Sequence, residues 1–373
     1  MRIAFYAPMK PPTHKVPSGD RAMARLLMAT LRRMGHDVEL ASALRSYEGK
    51  GDDARQHAIA RRAIAEAQRL GEAWAGNAPD LWFTYHLYHK APDHIGPRVA
   101  GALGLPYVVA EPSVAPKQRR GPWAAGFALS LAALARADAL LPMTREDADG
   151  LFAAGIPAER IVALPPFLDA APYDRVRRAE RRRTLAAAWG IDPQKPWAVV
   201  VAMMRAGDKL ASYRVLGEAL PAIAGEHELV VIGDGPCRAE VAALLGPRAH
   251  LVGRVSPRAL PGWLGACDLF LWPAVNEAYG MALLAAQAAG LPVVAGRARG
   301  VPGIVAHGST GLLTPEGDAA AFAAAATTLL ADPRRRAAMG AAAAAHVRER
   351  HGSDAAASVL ARALDEACRR RRS

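Results

Sequence analysis

The chain has 373 residues, 51% of them hydrophobic, and its 47 Lys and Arg outnumber its 35 Asp and Glu, giving a formal net charge of +12. This length suits two domains, and no uncharged apolar run reaches the ~18 residues that a membrane-spanning helix needs. The cysteines (Cys237, Cys267 and Cys368) follow no spacing pattern. We therefore predict neither a disulfide framework nor a zinc site, and we expect a cytoplasmic location.

The positive charge bears on the kind of partner that the protein binds. Nucleotide diphosphates, phospholipid headgroups and nucleic acid are the anionic candidates, but surface arginines from a GC-rich genome explain the charge equally well. Nucleic acid is the weakest candidate, because no basic stretch is interleaved with aromatic residues. Arginines concentrate in the segment 173–183. A solvated surface segment is the preferred interpretation there, and peripheral contact with the anionic face of the inner membrane is the alternative.

The first elements predict an α/β domain. Residues 2–7 form an apolar run typical of a strand. Ser18-Gly19-Asp20 can then open a helix that continues to about Arg33 with apolar side chains at helical spacing, followed by a strand over 37–40. The Gly19-Asp20 pair has two interpretations, a ligand-binding turn and a simple helix cap.

Two further strands of the first half end in polar side chains. One ends in His86, and the other, over 106–110, reaches Glu111. A polar group at the carboxyl end of a parallel strand is a candidate for ligand binding or proton transfer, although Glu111 could equally cap the next helix. His89 and His94 follow in a loop, and their spacing without a second cluster argues against a metal site.

The second half repeats the alternation of strands and helices. A Gly-Asp-Gly-Pro turn at 233–236 follows one of its strands, and because the turn lacks the full G-x-G-x-x-G spacing, dinucleotide binding is disfavoured. The chain from Asp318 onward is rich in Ala and is predicted to be helical. The apolar runs that predict strands lie at 196–204, 228–232, 250–253, 269–272 and 293–294.

One stretch of the second half predicts a ligand site. The strand 269–272 is followed by an Ala- and Leu-rich run, which we predict to be a helix from Glu277 to Ala289, because Gly290 and Pro292 are typical helix-ending residues. The start of such a helix offers free N–H groups and a positive dipole end, which suit a phosphate. A carboxylate at Glu277 could accept hydrogen bonds from ligand hydroxyls.

The stretch from Pro273 to Val294 resembles the signature of family 4 glycosyltransferases, which are retaining enzymes of the GT-B fold. This signature runs from Pro through a Glu, an aromatic residue and a Gly to a second Glu, and ends in Gly-x-Pro-Val-Val. The resemblance implies an α/β architecture of two Rossmann-like domains that face each other across a cleft, with the donor on the second domain and the acceptor on the first. The matching residues are Pro273, Glu277, Tyr279, Gly280, Gly290, Pro292, Val293 and Val294.

The resemblance also implies a function and a domain division. The expected activity moves a hexose from a nucleotide diphosphate sugar to an unidentified acceptor, which would be a bacterial cell-envelope polysaccharide, a lipid or a metabolite, with retention of anomeric configuration. No cofactor and no metal are expected beside the donor. The expected domains are 1–185 for the acceptor, 186–350 for the nucleotide sugar, and 351–373 as a helix that crosses back to the first domain and ends in a basic tail.

The catalytic residues implied by the resemblance are Arg205, Lys209 and Glu277. Arg205 and Lys209 follow the first strand of the second domain, as do the family's Arg and Lys that grip the diphosphate, and fixed cations there would stabilise its developing charge. In an Arg-rich chain the same two residues could be ordinary surface cations. Glu277 would hold sugar hydroxyls, and His86 and Glu111 are candidates on the acceptor side. The implied donor-binding residues are Gly19, Gly233, Gly253, Tyr279, Gly280 and Met281.

Four positions depart from the family pattern, the first being Leu210, which follows Lys209 where the family has a Gly. Ala285 replaces the second Glu of the signature, and the ribose hydroxyls would lose a charged acceptor at a cost of about 1.5–3 kcal/mol. Gln287 is predicted to point off that face and to be a poor substitute. Glu111 stands about where many members carry a histidine, and Gly303 where they carry a Glu. Two alternatives therefore stay open: a non-catalytic GT-B homologue that binds a glycan or a partner protein, and a sugar-nucleotide epimerase.

Overall fold

The computed structural model describes residues 1–16, 18–174 and 176–372. The chain divides into two compact units. Unit 1 comprises Met1–Pro165 together with Asp354–Ser373, and unit 2 comprises Pro166–Ser353. Each unit contains one sheet, so unit 1 is built from two separate parts of the chain and unit 2 from a single stretch.

The sheet of unit 1 has five strands in the order β2-β1-β3-β4-β5, and its paired strands are parallel. Its inner strands are buried apolar runs because helices cover both faces of such a sheet. The strand order reverses between β1 and β3, and ligands of open α/β sheets bind at the strand ends beside such a reversal. The strands are β1 (Arg2–Tyr6), β2 (Asp37–Ser42), β3 (Leu81–Leu87), β4 (Tyr107–Pro112) and β5 (Ala139–Leu141).

Several helices of unit 1 begin at a residue whose side chain caps them. The Ser18 side chain accepts a hydrogen bond from the Arg21 N–H and caps α1, which confirms the predicted start of this helix. Asp52 caps α2 in the same way. The helices are α1 (Gly19–Arg33), α2 (Asp53–Ala73), α3 (Gly96–Ala102), α4 (Ala124–Arg136) and α5 (Arg145–Ala153), with 3₁₀ turns at Pro116–Arg119 and Ala158–Arg160.

The sheet of unit 2 has six strands in the order β11-β10-β9-β6-β7-β8, and its paired strands are also parallel. Counted from the first strand of this unit, the order is that of a Rossmann fold, and it reverses between β6 and β9. The strands are β6 (Trp197–Val201), β7 (Glu228–Ile232), β8 (Ala249–Gly253), β9 (Leu269–Trp272), β10 (Val293–Gly296) and β11 (Gly311–Thr314).

The helices of unit 2 include the predicted Ala-rich ones after residue 318. Asp318 and Asp332 cap two of them with their side chains. The helices are α6 (Ala171–Asp174), α7 (Arg178–Trp189), α8 (Asp208–Ala219), α9 (Arg238–Leu245), α10 (Leu260–Ala266), α11 (Met281–Ala288), α12 (Ala319–Ala331) and α13 (Pro333–Arg350), with 3₁₀ turns at Leu220–Ala222 and Val301–Gly303. The last helix, α14 (Ser353–Arg372), belongs to unit 1 apart from its first residue.

The compact units divide earlier than the predicted boundary at residue 185. The segment 166–185 belongs to unit 2, because its side chains make their contacts there. The Arg182 guanidinium donates hydrogen bonds to the Ala266 carbonyl and to the Asp268 carboxylate, at 2.8 Å each. The arginine-rich segment is therefore not only solvated surface, since Arg182 is a half-buried anchor of α7.

Polar contacts hold α14 to the rest of unit 1. The Arg370 guanidinium donates to the Asp138 carbonyl at 2.8 Å, and the Arg33 guanidinium pairs with Asp354 at 3.1 Å. The apolar side of the helix is buried, including Leu360 and Leu364. In the part of the chain that the structure describes, no helix combines the length and the apolar character that crossing a bilayer requires.

Candidate active site

The strand reversal of unit 2 brings together two of the predicted catalytic residues. Lys209 lies in the first turn of α8, which follows β6, and Glu277 lies in the loop that follows β9. These strands are neighbours in the sheet, so residues that are 68 positions apart in sequence meet at one sheet edge. The Lys209 ammonium and the Glu277 carboxylate form an ion pair.

The Lys209–Glu277 pair is partly shielded from solvent. The Lys209 side chain is 20% exposed and that of Glu277 is 15% exposed, so both charged groups keep some accessible surface. The indole N–H of Trp272 donates to Oε2 of Glu277 at 3.1 Å. The Lys209 ammonium also lies 5.3 Å from the centre of the Trp272 ring, a cation–π distance. The apolar run 269–272 predicts only that Trp272 is a strand residue.

The predicted start of the helix after β9 is wrong. The helix does not start at Glu277 but at Met281, with Gly280 before it at a φ of 78°. Side chains of other elements hold the loop in a non-helical path: the Ser212 hydroxyl accepts from the Val275 N–H at 3.0 Å, and the Glu316 carboxylate accepts from the Asn276 N–H at 2.7 Å. The free N–H groups that suit a phosphate therefore belong to the turn that begins at Met281.

Arg205 lies in the loop between β6 and α8, four positions before Lys209. Its side chain is exposed, and no hydrogen bond or ion pair to it is found among the described residues. An unengaged guanidinium at a strand end is available for a phosphate. Arg205 and Lys209 thus provide one exposed cation and one that is held by a carboxylate.

The predicted donor-binding glycines differ in whether the surrounding structure leaves room for a side chain. A Cβ on Gly233 would lie 1.8 Å from the Ala202 carbonyl oxygen, so only glycine fits where β7 passes the loop after β6. Gly253 has a φ of 81°, and its carbonyl accepts from the Gly233 N–H at 2.9 Å. A Cβ on Gly19, at the start of α1 in unit 1, would meet nothing within 4 Å. Gly19 is therefore not required by packing.

Position 285 lies on the inner side of α11. Ala285 is 6% exposed, and the fully buried Gln287 donates its amide to the Ile304 carbonyl at 2.9 Å. As predicted, Gln287 cannot replace a carboxylate for a ligand, because its amide is bound inside unit 2. Tyr279 is half-buried in the preceding loop.

The strand reversal of unit 1 carries a second polar cluster. His86 is in β3 and Glu111 is in β4, and both have a left-handed backbone, with φ of 62° and 53°. Nδ1 of His86 lies 3.1 Å from Oδ1 of Asp20, at the start of α1, and 3.8 Å from Oε1 of Glu111. The structure thus brings together the two predicted acceptor-side residues, His86 and Glu111. It adds Asp20 to them, a residue whose sequence pattern is also that of a simple helix cap.

The charges of this cluster shift one another's pKa values. Burial opposes a charged His86, but the neighbouring Glu111 and Asp20 carboxylates raise its pKa to about 9. Burial also works against the Asp20 carboxylate, yet the hydrogen bond from His86 lowers the pKa of Asp20. Burial raises the pKa of Glu111 and of Asp147, which lies in the first turn of α5. The cluster can therefore hold a proton near neutral pH.

The histidine loop after β3 makes no metal cluster with its neighbours. Among residues 1–16, 18–174 and 176–372, no group of three or more His, Cys, Asp or Glu side chains is placed to hold a metal ion. Burial and the nearby Lys90 and Lys117 lower the pKa of His89, and burial with Arg98 lowers the pKa of His94 to about 4. Both imidazoles are neutral at pH 7.

Two family models match this chain, one in each half. Residues 18–166 match the family described as "Glycosyl transferase 4-like domain", and residues 195–332 match the family described as "Glycosyl transferases group 1". The strand reversal of unit 2 lies within the second matched range, and the polar residues Asp20, His86 and Glu111 of unit 1 lie within the first, whereas β1 precedes it. The two matches agree with the order of the two α/β units along the chain.

Similar proteins and structures were also found. The D-inositol 3-phosphate glycosyltransferase of Streptomyces avermitilis is 32% identical over 277 residues, which are 68% of this chain and 58% of that protein. The enzyme of the same name from Xylanimonas cellulosilytica is 32% identical over 257 residues, 64% of this chain and 59% of that protein. The alignment with these curated relatives thus spans less than two thirds of their length.

Solved structures show the same fold. Anabaena Alr3699/HepE, crystallised with UDP, superposes with a TM-score of 0.76 at 16% identity over 98% of this chain and 100% of that chain. A glycosyltransferase from Rickettsia africae has a TM-score of 0.76 at 13% identity over 98% of both chains.

The two Rossmann-like units and these superpositions define a protein of the GT-B class, which confirms the predicted fold class. The family matches in its two halves show that the chain is a glycosyltransferase with a 4-like domain followed by a group 1 domain.

Proposed function

We propose that this protein transfers a hexose from a nucleotide diphosphate sugar to a hydroxyl group of an acceptor, with retention of anomeric configuration. The observation that carries the proposal is the Lys209–Glu277 ion pair at the strand reversal of a Rossmann-type sheet, with the exposed Arg205 four positions before Lys209 in the chain. Ligands of such sheets bind at this place. The resemblance of residues 273–294 to the family 4 signature implies retention, and the match to the group 1 family supports the transfer of a sugar.

The proposed roles follow from the charges. When the bond between the anomeric carbon and the diphosphate breaks, negative charge develops on the departing phosphate oxygens. The acceptor hydroxyl forms the new bond to the carbon through its oxygen and gives its proton to the departing phosphate. Arg205 and Lys209 would neutralise that charge, aided by the N–H groups at the start of α11. The Glu277 carboxylate would accept hydrogen bonds from the sugar hydroxyls. Lys209 can bind the Glu277 carboxylate and a phosphate oxygen at the same time, since an ammonium has three N–H donors.

Unit 1 would provide the acceptor side. His86, Asp20 and Glu111 form its polar cluster at the strand reversal, where a sheet of this type binds ligands. Because the curated relatives are named as D-inositol 3-phosphate glycosyltransferases, inositol 3-phosphate is the first acceptor to test. UDP-sugars are the first donors to test, because a similar structure was solved with UDP.

The test is a panel of UDP-, GDP- and ADP-sugars, scored by thermal stabilisation and by slow donor hydrolysis. We expect one donor to stabilise the protein and to be hydrolysed, and Glu277→Ala to abolish the hydrolysis. Glu240→Ala is the matched control, because Glu240 is an exposed residue of unit 2 that pairs with Arg214 at 2.7 Å. No stabilisation by any nucleotide sugar would overturn the proposal.

One observation favours a second candidate function. The buried Ala285 offers no carboxylate to a ribose, which suits a non-catalytic homologue that binds a glycan or a partner protein. Binding of nucleotide sugars without hydrolysis or transfer to any acceptor would support this candidate. Transfer by the wild-type protein would exclude it.

A further inference from the structure

We propose that Trp272 is a positioning residue of the donor site, which holds both Glu277 and Lys209 in place. The inference rests on the proposed function, because it assumes that these two charges bind the donor. Its evidence is separate: among the described residues, Trp272 is the one whose side chain contacts both the carboxylate and the ammonium of the pair.

The first contact fixes the carboxylate. The Trp272 N–H donates to Oε2 of Glu277 at 3.1 Å, and Lys209 binds the same oxygen. Both bonds therefore fall on one oxygen of the carboxylate, and no hydrogen bond to Oε1 is found among the described residues. A carboxylate that is held through one oxygen keeps the other available to accept hydrogen bonds from a ligand.

The second contact fixes the ammonium. The Lys209 side chain passes over the Trp272 ring, with Nζ 5.3 Å from the ring centre. The negative face of an indole attracts a cation at this distance, so the ring favours the position of Lys209 even when a ligand draws the ammonium away from Glu277. Lysine is flexible on its own, and a fixed partner limits that freedom.

The indole itself is immobile. Trp272 is 2% exposed and ends β9, where it lies opposite Ala295 of β10. Its ring meets the Tyr213 ring edge to face, with centroids 5.2 Å apart, and the Tyr213 hydroxyl donates to the Ala202 carbonyl at 3.0 Å. The contacts to both charges are thus made from a rigid part of the sheet, which is what a preorganised site requires.

Trp272→Phe tests the inference, because it keeps an aromatic ring and deletes the N–H. Trp197→Phe is a matched control in the same unit: Trp197 is also fully buried, donates its N–H to the Asp192 carbonyl at 2.8 Å, and lies under the Arg182 guanidinium at 4.6 Å. It begins β6, at the end opposite to the site. Both variants lose a comparable amount of packing.

The readout is the dissociation constant of UDP-glucose, or of the GDP- or ADP-glucose that the donor panel selects, measured by calorimetry in a double-mutant cycle with Glu277→Ala. We expect Trp272→Phe to weaken donor binding at least about tenfold when Glu277 is present, because hydrogen bonds to charged groups are the strong ones. In the Glu277→Ala background we expect less than about a twofold effect, since the carboxylate that Trp272 positions is gone.

Three results would overturn the inference: no loss of affinity in Trp272→Phe, the same loss in both backgrounds, or an equal loss in Trp197→Phe. The first would show that the Trp272 N–H contributes nothing to donor binding, the second that Trp272 acts independently of Glu277, and the third that general packing is responsible. Failure of the proposed function is a different result. In that case no nucleotide sugar binds the wild-type protein, or Glu277→Ala binds and hydrolyses the donor as the wild type does.

Discussion

Nδ1 of His86 and Oδ1 of Asp20 lie 3.1 Å apart although 66 positions separate the two residues in sequence. The contact joins the strand β3 to the start of α1, the helix that follows β1, across the reversal of the unit 1 sheet. With Glu111 close by, it makes the folded protein hold a proton on His86 more firmly than the unfolded chain does.

The first prediction concerns the pH dependence of stability. The pKa of His86 is raised from 6.5 to about 9 in the folded state, so the stability that its charge contributes is fully present below pH 6.5 and is lost as the pH rises through 9. His86→Asn removes the titrating group, and Asn tolerates the left-handed backbone. We expect the wild type to exceed this variant in melting temperature at pH 6, and the gap to narrow towards pH 10.

The control for this prediction is His57→Asn. His57 is an exposed residue of α2, with a side chain that is 67% accessible. Its removal should leave the melting temperature nearly unchanged at each pH. A gap between wild type and His86→Asn that stays constant from pH 6 to pH 10 would contradict the assigned charge of His86.

The second prediction concerns the diphosphate. Arg205→Ala removes an exposed guanidinium, and a charge-assisted hydrogen bond to phosphate contributes about 1.5–3 kcal/mol. We expect the affinity for UDP to fall at least about tenfold in calorimetry, with no change in melting temperature. Arg214→Ala is the control, because Arg214 is an exposed residue of α8 that pairs with Glu240. Equal affinities for UDP in Arg205→Ala and Arg214→Ala would show that Arg205 does not bind the diphosphate.

The third prediction concerns the missing carboxylate. Ala285→Glu places a carboxylate where the family signature has its second Glu. We expect nucleotide affinity to rise about tenfold, which corresponds to one additional charged hydrogen bond to the ribose. Ala285→Gln has nearly the same size without the charge and should gain less. A fall in melting temperature without a gain in affinity would show that the buried position cannot direct a longer side chain to the ligand.

The fourth prediction separates packing from binding at two glycines. Gly233→Ala would force a Cβ to within 1.8 Å of the Ala202 carbonyl oxygen, and we expect it to destabilise unit 2 on the order of 3 kcal/mol. Gly19→Ala meets no atom within 4 Å, and it should raise stability by about 0.4–1 kcal/mol by restricting the unfolded chain. Thermal unfolding of both variants checks the contrast.

Gly19→Ala also tests the donor role assigned to this residue. If the Gly19 backbone approaches the donor phosphates, the variant should bind UDP-glucose more weakly while melting at the same or a higher temperature. Unchanged binding would leave Gly19 as an ordinary first residue of α1.

Sequence patterns predicted the secondary structure near the sites better than they predicted the contacts within them. The buried runs of parallel strands are continuous and apolar, so β9 was predicted with its observed bounds. The helix after it was predicted to begin at Glu277, four positions too early, because composition cannot reveal that the side chains of Ser212 and Glu316 hold the loop out of the helix. Those contacts come from distant parts of the chain.

The contacts of the charged side chains could not be predicted from the sequence either. Glu277, Lys209 and Arg205 were assigned from the resemblance to a family signature, but nothing in the spacing indicates that Lys209 pairs with Glu277. Trp272 was counted as one more apolar strand residue, since its N–H matters only once the fold places a carboxylate beside it. For Asp20, a helix cap and a functional group have the same sequence pattern, and only the position of His86 distinguishes them.

The division of unit 1 into two parts of the chain affects the order in which the protein folds. The apolar residues of α14 that complete this unit, such as Leu360 and Leu364, are synthesised after all of unit 2. During translation, unit 2 can therefore finish its core while unit 1 still exposes the surface that α14 will cover. Nascent chains generally fold from the amino terminus onward, but here the unit that contains the first residue is the last to be completed.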